Sequence, residues 1–317
     1  MGKLRIFYAT DVHGSERCFL KFVNAGPFYK ADVVILGGDI TGKFVIPIVQ
    51  RGDAYVCELM GSQETAASKE ERVGLEKRIR DMGYYPYHTS LSELESLRAD
   101  PQKLDSLFTK AMCESVERWM ILAEQKLRRT NVQCYVSPGN DDRFEIDSVI
   151  SRSDYVKNPE GRVVELGGSY EMVTLGFTNM TPWNCPRDIP EDELAAKVQA
   201  ATSEVRDFTN CVFNFHCPPY NSGIDLAPQL DEALTPVLGP GAAPVMIPVG
   251  SPSIRTAVEK LQPLMGFHGH IHESRGTYRL GRTLCINPGS EYTEGILRGA
   301  IVDLDGSRID DFLLTAG

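Results

Sequence analysis

The 317 residues carry 33 basic and 43 acidic side chains, a formal charge of −10 with histidine neutral, so no overall positive field draws in long nucleic acid. A hydrophobic share of 42% and a charged share of 24% are those of a globular chain, and no run approaches the roughly 18 apolar residues of a membrane span. The eight cysteines form no C-x-x-C pair, and no cleavage site follows the short N-terminal apolar run, which together predict reduced thiols in a cytoplasmic protein.

From the N-terminus, Gly2 suits an acylation signal, but Ile6 stands where that signal needs Ser or Thr. "LRIFYAT" then runs into Asp11-Val12-His13, and "ADVVILGG" into Asp39. Uninterrupted apolar runs of this length predict buried strands. "GGDITGKF", from Gly37, fits the G-x-x-x-x-G-K of a phosphate-binding loop, but Phe44 replaces the Ser or Thr that would hold magnesium, and Asp39 would repel phosphate. That reading is set aside.

A long interval follows, about Gly42 to Thr130, where a crossover needs only a dozen or more residues. Two apolar runs flank Arg51-Gly52-Asp53 and predict a hairpin. "AASKEERVGLEKRIRDMG" predicts a helix closed by Gly83. "GYYPYHT" offers Tyr84, Tyr85, Tyr87 and His88, either to stack on a base or donate a proton, or to pack the segment against its neighbours. "AMCESVERWMILAEQKLRRT" places Val116, Trp119, Met120, Ala123 and Leu127 at helical spacing and is the expected crossover. The chain is therefore expected to be a single domain over 1–317, with an inserted hairpin and helical subdomain over 43–107.

Three more runs complete the pattern: "VQCYVSPG" before Asn140-Asp141-Asp142, "CVFNF" before His216, and "LMGF" before the row His268, His270, His272. Ligands of an open α/β sheet gather beyond the carboxyl ends of its strands, so five such runs would converge on one edge. Four of the six histidines, His13, His216, His270 and His272, belong to this set with Asp11, Asp39 and Asn140. Imidazole, carboxylate and amide oxygen suit two divalent ions of the manganese, iron or zinc type, manganese being favoured. Each residue also has a plainer use: Asp11 as a helix cap, Asp39 and Asn140 in turns, His216 as a satisfied strand-end side chain and His268 in packing.

In order, these segments read "DVH", "GGD", "GNDD", "FHCPP" and "GHIH". The series resembles the calcineurin-like metallophosphoesterase superfamily over about Leu4 to Leu304, and "INPGSEYTEG" resembles its smaller bacterial and archaeal phosphodiesterase-type members. The resemblance implies a four-layer α/β sandwich, two mixed β-sheets flanked by helices. It also implies that Asp11, His13 and His272 hold one metal, that Asn140, His216 and His270 hold a second, and that Asp39 bridges them. On that pattern a metal-bridging hydroxide hydrolyses a small phosphoester, a nucleotide being one candidate, with diesters favoured and Asp39, Asn140, Asp141 and His216 as the catalytic residues. The alternatives are a phosphomonoesterase acting on a nucleotide, sugar phosphate or phosphoprotein, and a metal-binding scaffold without activity. The apolar hairpin further suggests a homodimer contact.

One position departs from the pattern. Many members carry a histidine after the G-N pair that assists the leaving group, and here Asp141 stands there. Ionised beside two cations, Asp141 is a poor proton donor. The sequence therefore predicts weak activity on simple alkyl monoesters, or an acid supplied from elsewhere.

Overall fold

The computed structural model describes residues 3–317; Gly2 lies outside them. β1 (Lys3–Ala9), α1 (Glu16–Tyr29) and β2 (Val33–Gly37) form a parallel βαβ unit. Ser15 caps α1 by accepting the Cys18 amide, so the helix begins shortly after His13. The next stretch builds a separate sheet from β3 (Val45–Arg51), β4 (Ala54–Leu59), β5 (Ser62–Ala66) and, after α2 (Lys69–Asp81), β6 (Tyr85–Thr89). α3 (Leu91–Ala99) and α4 (Pro101–Leu127) lead back to β7 (Gln133–Ser137), and α5 (Glu145–Ile150) follows.

The second half holds β8 (Val163–Leu166), β9 (Tyr170–Leu175), the short pair β10 (Thr178–Asn179) and β11 (Asp188–Ile189), α6 (Glu191–Thr202) and β12 (Cys211–Phe215). A ribbon of β13 (Leu226–Pro228) and β14 (Met246–Pro248) precedes α7 (Pro252–Leu261), β15 (Met265–Phe267), β16 (Gly276–Leu280) and β17 (Thr283–Asn287). β18 (Arg298–Asp305) and β19 (Arg308–Ala316) close the chain as a hairpin through Gly306 and Ser307.

Two mixed sheets face each other, with strand orders β19-β18-β1-β2-β7 and β16-β17-β15-β12-β9-β8. Alternation along the strands explains the layering. Ile6 and Tyr8 of β1 meet Met172, Val212, Met265 and Phe267 between the sheets, Tyr8 stacking on Phe267 at 4.4 Å. Phe7 and Ala9 point the other way, into a core with α1, α4 and α5, where Phe19 stacks on Trp119 at 4.2 Å. Cys211, Phe213 and Phe215 of β12 likewise pack with residues of α6 and α7. Helices outside and sheets inside give four layers, the architecture that the motifs implied.

Two details differ from the sequence reading. The five ligand-bearing strands do not share one sheet: β1, β2 and β7 lie in the first, β12 and β15 in the second. The residue-107 limit falls inside α4, which runs unbroken from Pro101, where Pro occupies the first turn and Asp100 caps the helix. The β3–β6 sheet has a small core of its own, with Ile48, Cys57, Leu75 and Ile79 buried together. Among the described residues no helix is long and apolar enough to cross a membrane.

Candidate metal centre

The turns that follow β1, β2, β7, β12 and β15 meet at one edge of the sandwich. The first two run together: the Asp11 amide donates to Gly38 O, His13 N to Asp39 O and Gly14 N to Ile40 O, each at 2.9 Å. Asp142 fixes the third turn against them, accepting from the amides of Gly139, Ile40 and Thr41 and from the Thr41 hydroxyl. The fourth and fifth are joined by Gly269 N donating to His216 O at 2.9 Å, and the His270 amide donates to the Asp11 carboxylate. Backbone geometry marks the edge as well. Asp11, His13, Asp39 and His270 all take positive φ, at 53°, 38°, 49° and 68°. Non-glycine residues rarely do so.

Three sets of donor atoms come within 4.8 Å of one another: Asp11, His13 and His272; Asp39, His216 and His270; and His13, Asp39 and Asp141. Asp39 belongs to two of them, with Oδ2 at 3.4 Å from His216 Nε2 and 3.7 Å from His13 Nε2. Asn140 completes the second, its Oδ1 2.9 Å from His270 Nδ1. The structure thus brings Asp11, His13, Asp39, Asn140, Asp141, His216, His270 and His272 to one place.

A cation fits this donor set. His216 Nδ1 lies 3.0 Å from Gly37 O, which can only accept, so Nδ1 carries the proton and Nε2 faces the carboxylates with no hydrogen-bond partner. His13 Nδ1 is buried and unpartnered too, while His13 and His272 point Nε2 at each other across 3.0 Å. Buried polar atoms are normally satisfied, and orphans clustered among carboxylates are what divalent cations satisfy. The electrostatics agree. Burial would raise Asp11 and Asp39, but the facing imidazoles together, His216 and His272 for the first and His216, His13 and His270 for the second, hold both below the usual carboxylate range. Burial would lower His216, yet Asp39 and Asp11 hold it up to about 10, a sign of the negative field that a cation in place of the Nε2 proton would neutralise. Burial takes His13 down to about 3 and His270 to about 4, leaving both imidazoles neutral.

Asp141 stands at the open side of the cluster. Its amide donates to Asp39 Oδ1 at 3.0 Å, and its Oδ2 lies 3.7 Å from His13 Nδ1 and 3.0 Å from Lys43 Nζ. Burial and Asp39 push its carboxyl above the ordinary value, with Lys43 opposing them. Tyr292 flanks the same imidazole, its ring 4.8 Å from that of His13. A cleft of about 500 Å³ opens beside His272, lined among others by Arg275, Ser290, Tyr292 and Arg298.

β15 ends at Phe267, so His268 to His272 form a turn. His268 is fully buried, its Nδ1 within 2.8 Å of Phe215 O and 3.0 Å of Cys217 O, and belongs to none of the donor sets. It packs the turn against β12. The aromatic segment of the insertion turns elsewhere: Tyr85 is buried with its hydroxyl on the Gly42 amide, Tyr87 donates to Glu93, and His88 pairs with Glu76 at 2.8 Å.

Sequence reading missed two residues here, Lys43 and Asp188. Asp188 Oδ1 accepts from Asn140 Nδ2 at 2.8 Å, which turns the amide so that its oxygen faces His270. The Asp188 carboxylate also takes the amides of Thr181 and Cys185, so the 181–188 turn is built around it.

No protein-family model matches the chain. The uncharacterized protein MJ1162 of Methanocaldococcus jannaschii is 33% identical over 153 residues, a match spanning 48% of this chain and 61% of that protein. Among solved structures, TT1561 of Thermus thermophilus covers 100% of this chain and 99% of its own at TM-score 0.55 and 13% identity, which establishes a shared fold. A structure described as a novel archaeal phosphodiesterase aligns over 98% of this chain and 100% of its own at TM-score 0.33 and 11% identity. The phosphoesterase Yfce of E. coli aligns over 98% of both chains at TM-score 0.29 and 10% identity. The comparisons establish the fold, and the motif series that resembles that of the calcineurin-like metallophosphoesterases gathers at one edge of it.

Proposed function

We propose that the chain hydrolyses phosphoesters, diesters in preference to monoesters, at a centre of two divalent cations. The observation that carries this reading is the pairing of Asp11, His13 and His272 with Asp39, His216 and His270, Asp39 also lying 3.7 Å from His13. Two cations there, manganese being the favoured ion, would acidify a water and neutralise charge on the phosphoryl group. The chain supplies the rest. On this reading Asp11, His13 and His272 would hold one cation and Asn140, His216 and His270 the second, with Asp39 serving both. The Gly37 carbonyl fixes the His216 tautomer, and Asp188 fixes the Asn140 amide.

Charge supports the diester preference. Asp11, Asp39 and Asp141 converge on the site, and a diester brings one negative charge fewer against them than a monoester does. The substrate is a small phosphoester, a nucleotide being one candidate, and the eight free thiols suit a reducing cytoplasm.

The test is turnover of an aryl phosphodiester and its matched monoester by manganese-loaded protein, with metal content measured in parallel and Asp39→Asn as control. Faster diester cleavage, lost by about 10²-fold or more in the variant, is expected. Two bound metals with turnover of neither ester would replace this reading with a binding scaffold.

A further inference from the structure

We infer that Lys43 is a catalytic residue that stabilises the leaving oxygen of the ester. The inference rests on the phosphoesterase reading above and deepens it. Three observations carry it.

The first is position. Lys43 Nζ is 3.0 Å from Asp141 Oδ2, and that oxygen is 3.7 Å from the ring of His13, so the ammonium stands just outside the ligand cluster. The second is freedom to act. About 44% of the Lys43 side chain is exposed, and its contact with Asp141 is an ion pair, so the ammonium keeps donors open for a further acceptor. The third is rigidity. Lys43 follows a turn pinned on both sides: Asp142 accepts the Ile40 and Thr41 amides, and the Tyr85 hydroxyl accepts the Gly42 amide at 2.7 Å. A cation meant only to neutralise a surface carboxylate needs no such anchoring.

The chemistry follows. As a bond forms between phosphorus and an oxygen derived from water, the bond to the alcohol oxygen breaks and its electron pair stays on that oxygen. Lys43 hydrogen-bonds this oxygen and offsets its charge. The alcohol finally carries one proton of the water consumed and the phosphate product keeps the other, so Lys43 ends the cycle protonated, as it began. Asp141 holds the ammonium in place and is a positioning residue. The glycine-rich "GGDITGK" stretch, which imitates a nucleotide-binding loop, is on this reading a Lys-presenting loop.

A stabilised leaving oxygen matters most when the alcohol is a poor leaving group. In manganese-loaded protein, Lys43→Met is expected to lower kcat by about 10²-fold on an alkyl ester and by less than about 10-fold on a p-nitrophenyl ester, steepening the dependence of rate on alcohol acidity. Lys43→Arg should restore most of the alkyl activity. Elemental analysis should find the same metal content in wild type, Lys43→Met and Asp141→Asn, and Asp141→Asn should show a smaller loss with the same leaving-group bias. A uniform rise in KM for all esters would overturn the inference in favour of simple phosphate attraction. Loss of a metal from Asp141→Asn would overturn it by making that carboxylate a ligand. If wild type cleaves no ester at all, the phosphoesterase reading itself fails, which these variants do not mimic.

Discussion

Asn140 owes its orientation to Asp188, a residue 48 positions further along the chain. An amide can present either end to a cation, and the carboxylate decides which by accepting from Nδ2. Asp188→Ala is therefore expected to weaken manganese binding by about 10–100-fold in a chelator competition titration, while leaving Asp11, His13 and His272 in place. Unchanged affinity would mean that Asn140 needs no such support. The candidate ligands were legible in the sequence because each follows an apolar strand. Asp188 was not, since it follows no strand and acts through a contact that only folding creates. Lys43 was visible but misleading, because the glycines before it copy a loop of different chemistry.

At the scale of elements, the β3–β6 body meets the loop that carries His13 in a close backbone contact. A Cβ built on Gly42 would fall 2.0 Å from Gly83 O, and one built on Gly83, at φ +89°, would fall 2.2 Å from His13 O. No side chain fits between the inserted segment and the loop that carries His13, and Ser15 adds a hydrogen bond to Asp81 O at 2.6 Å. Gly83→Ala should displace that loop and lower metal occupancy by elemental analysis, even where circular dichroism shows the helices intact; full occupancy would show that the contact is slack. The hairpin and α2 could be read from periodicity and turn residues. The division of the five strands between two sheets could not, since a fully apolar run states that a strand is buried without stating beside which neighbour.

At the scale of the whole molecule, the segment from Lys157 to Glu160 stitches the sheets together, bridging Tyr135 of β7 at one end and Thr174 of β9 at the other. Glu160 accepts the Gly176 amide at 2.8 Å, and burial pushes its carboxyl up to about 8 from an ordinary 4.5. A carboxyl that keeps its proton to higher pH when folded stabilises the fold fully below about 4.5 and loses that contribution as pH rises towards 8. Melting temperature should therefore fall between those values, and Glu160→Gln, which keeps an acceptor for Gly176, should flatten the decline. A profile identical in the two proteins would remove Glu160 as its cause.

The positive φ angles of Asp11, His13, Asp39 and His270 bear on how such a chain changes over generations. Each holds a side chain where the backbone favours glycine, at a cost of roughly 1 kcal/mol apiece. If these four side chains hold metal as proposed, mutations that erase them would relax the turns while abolishing chemistry, so selection for turnover and selection for sturdiness would pull in opposite directions at the same positions. A lineage released from the demand for hydrolysis would lose its ligands early and keep its layers, drifting downhill towards an inert body fit for binding other molecules.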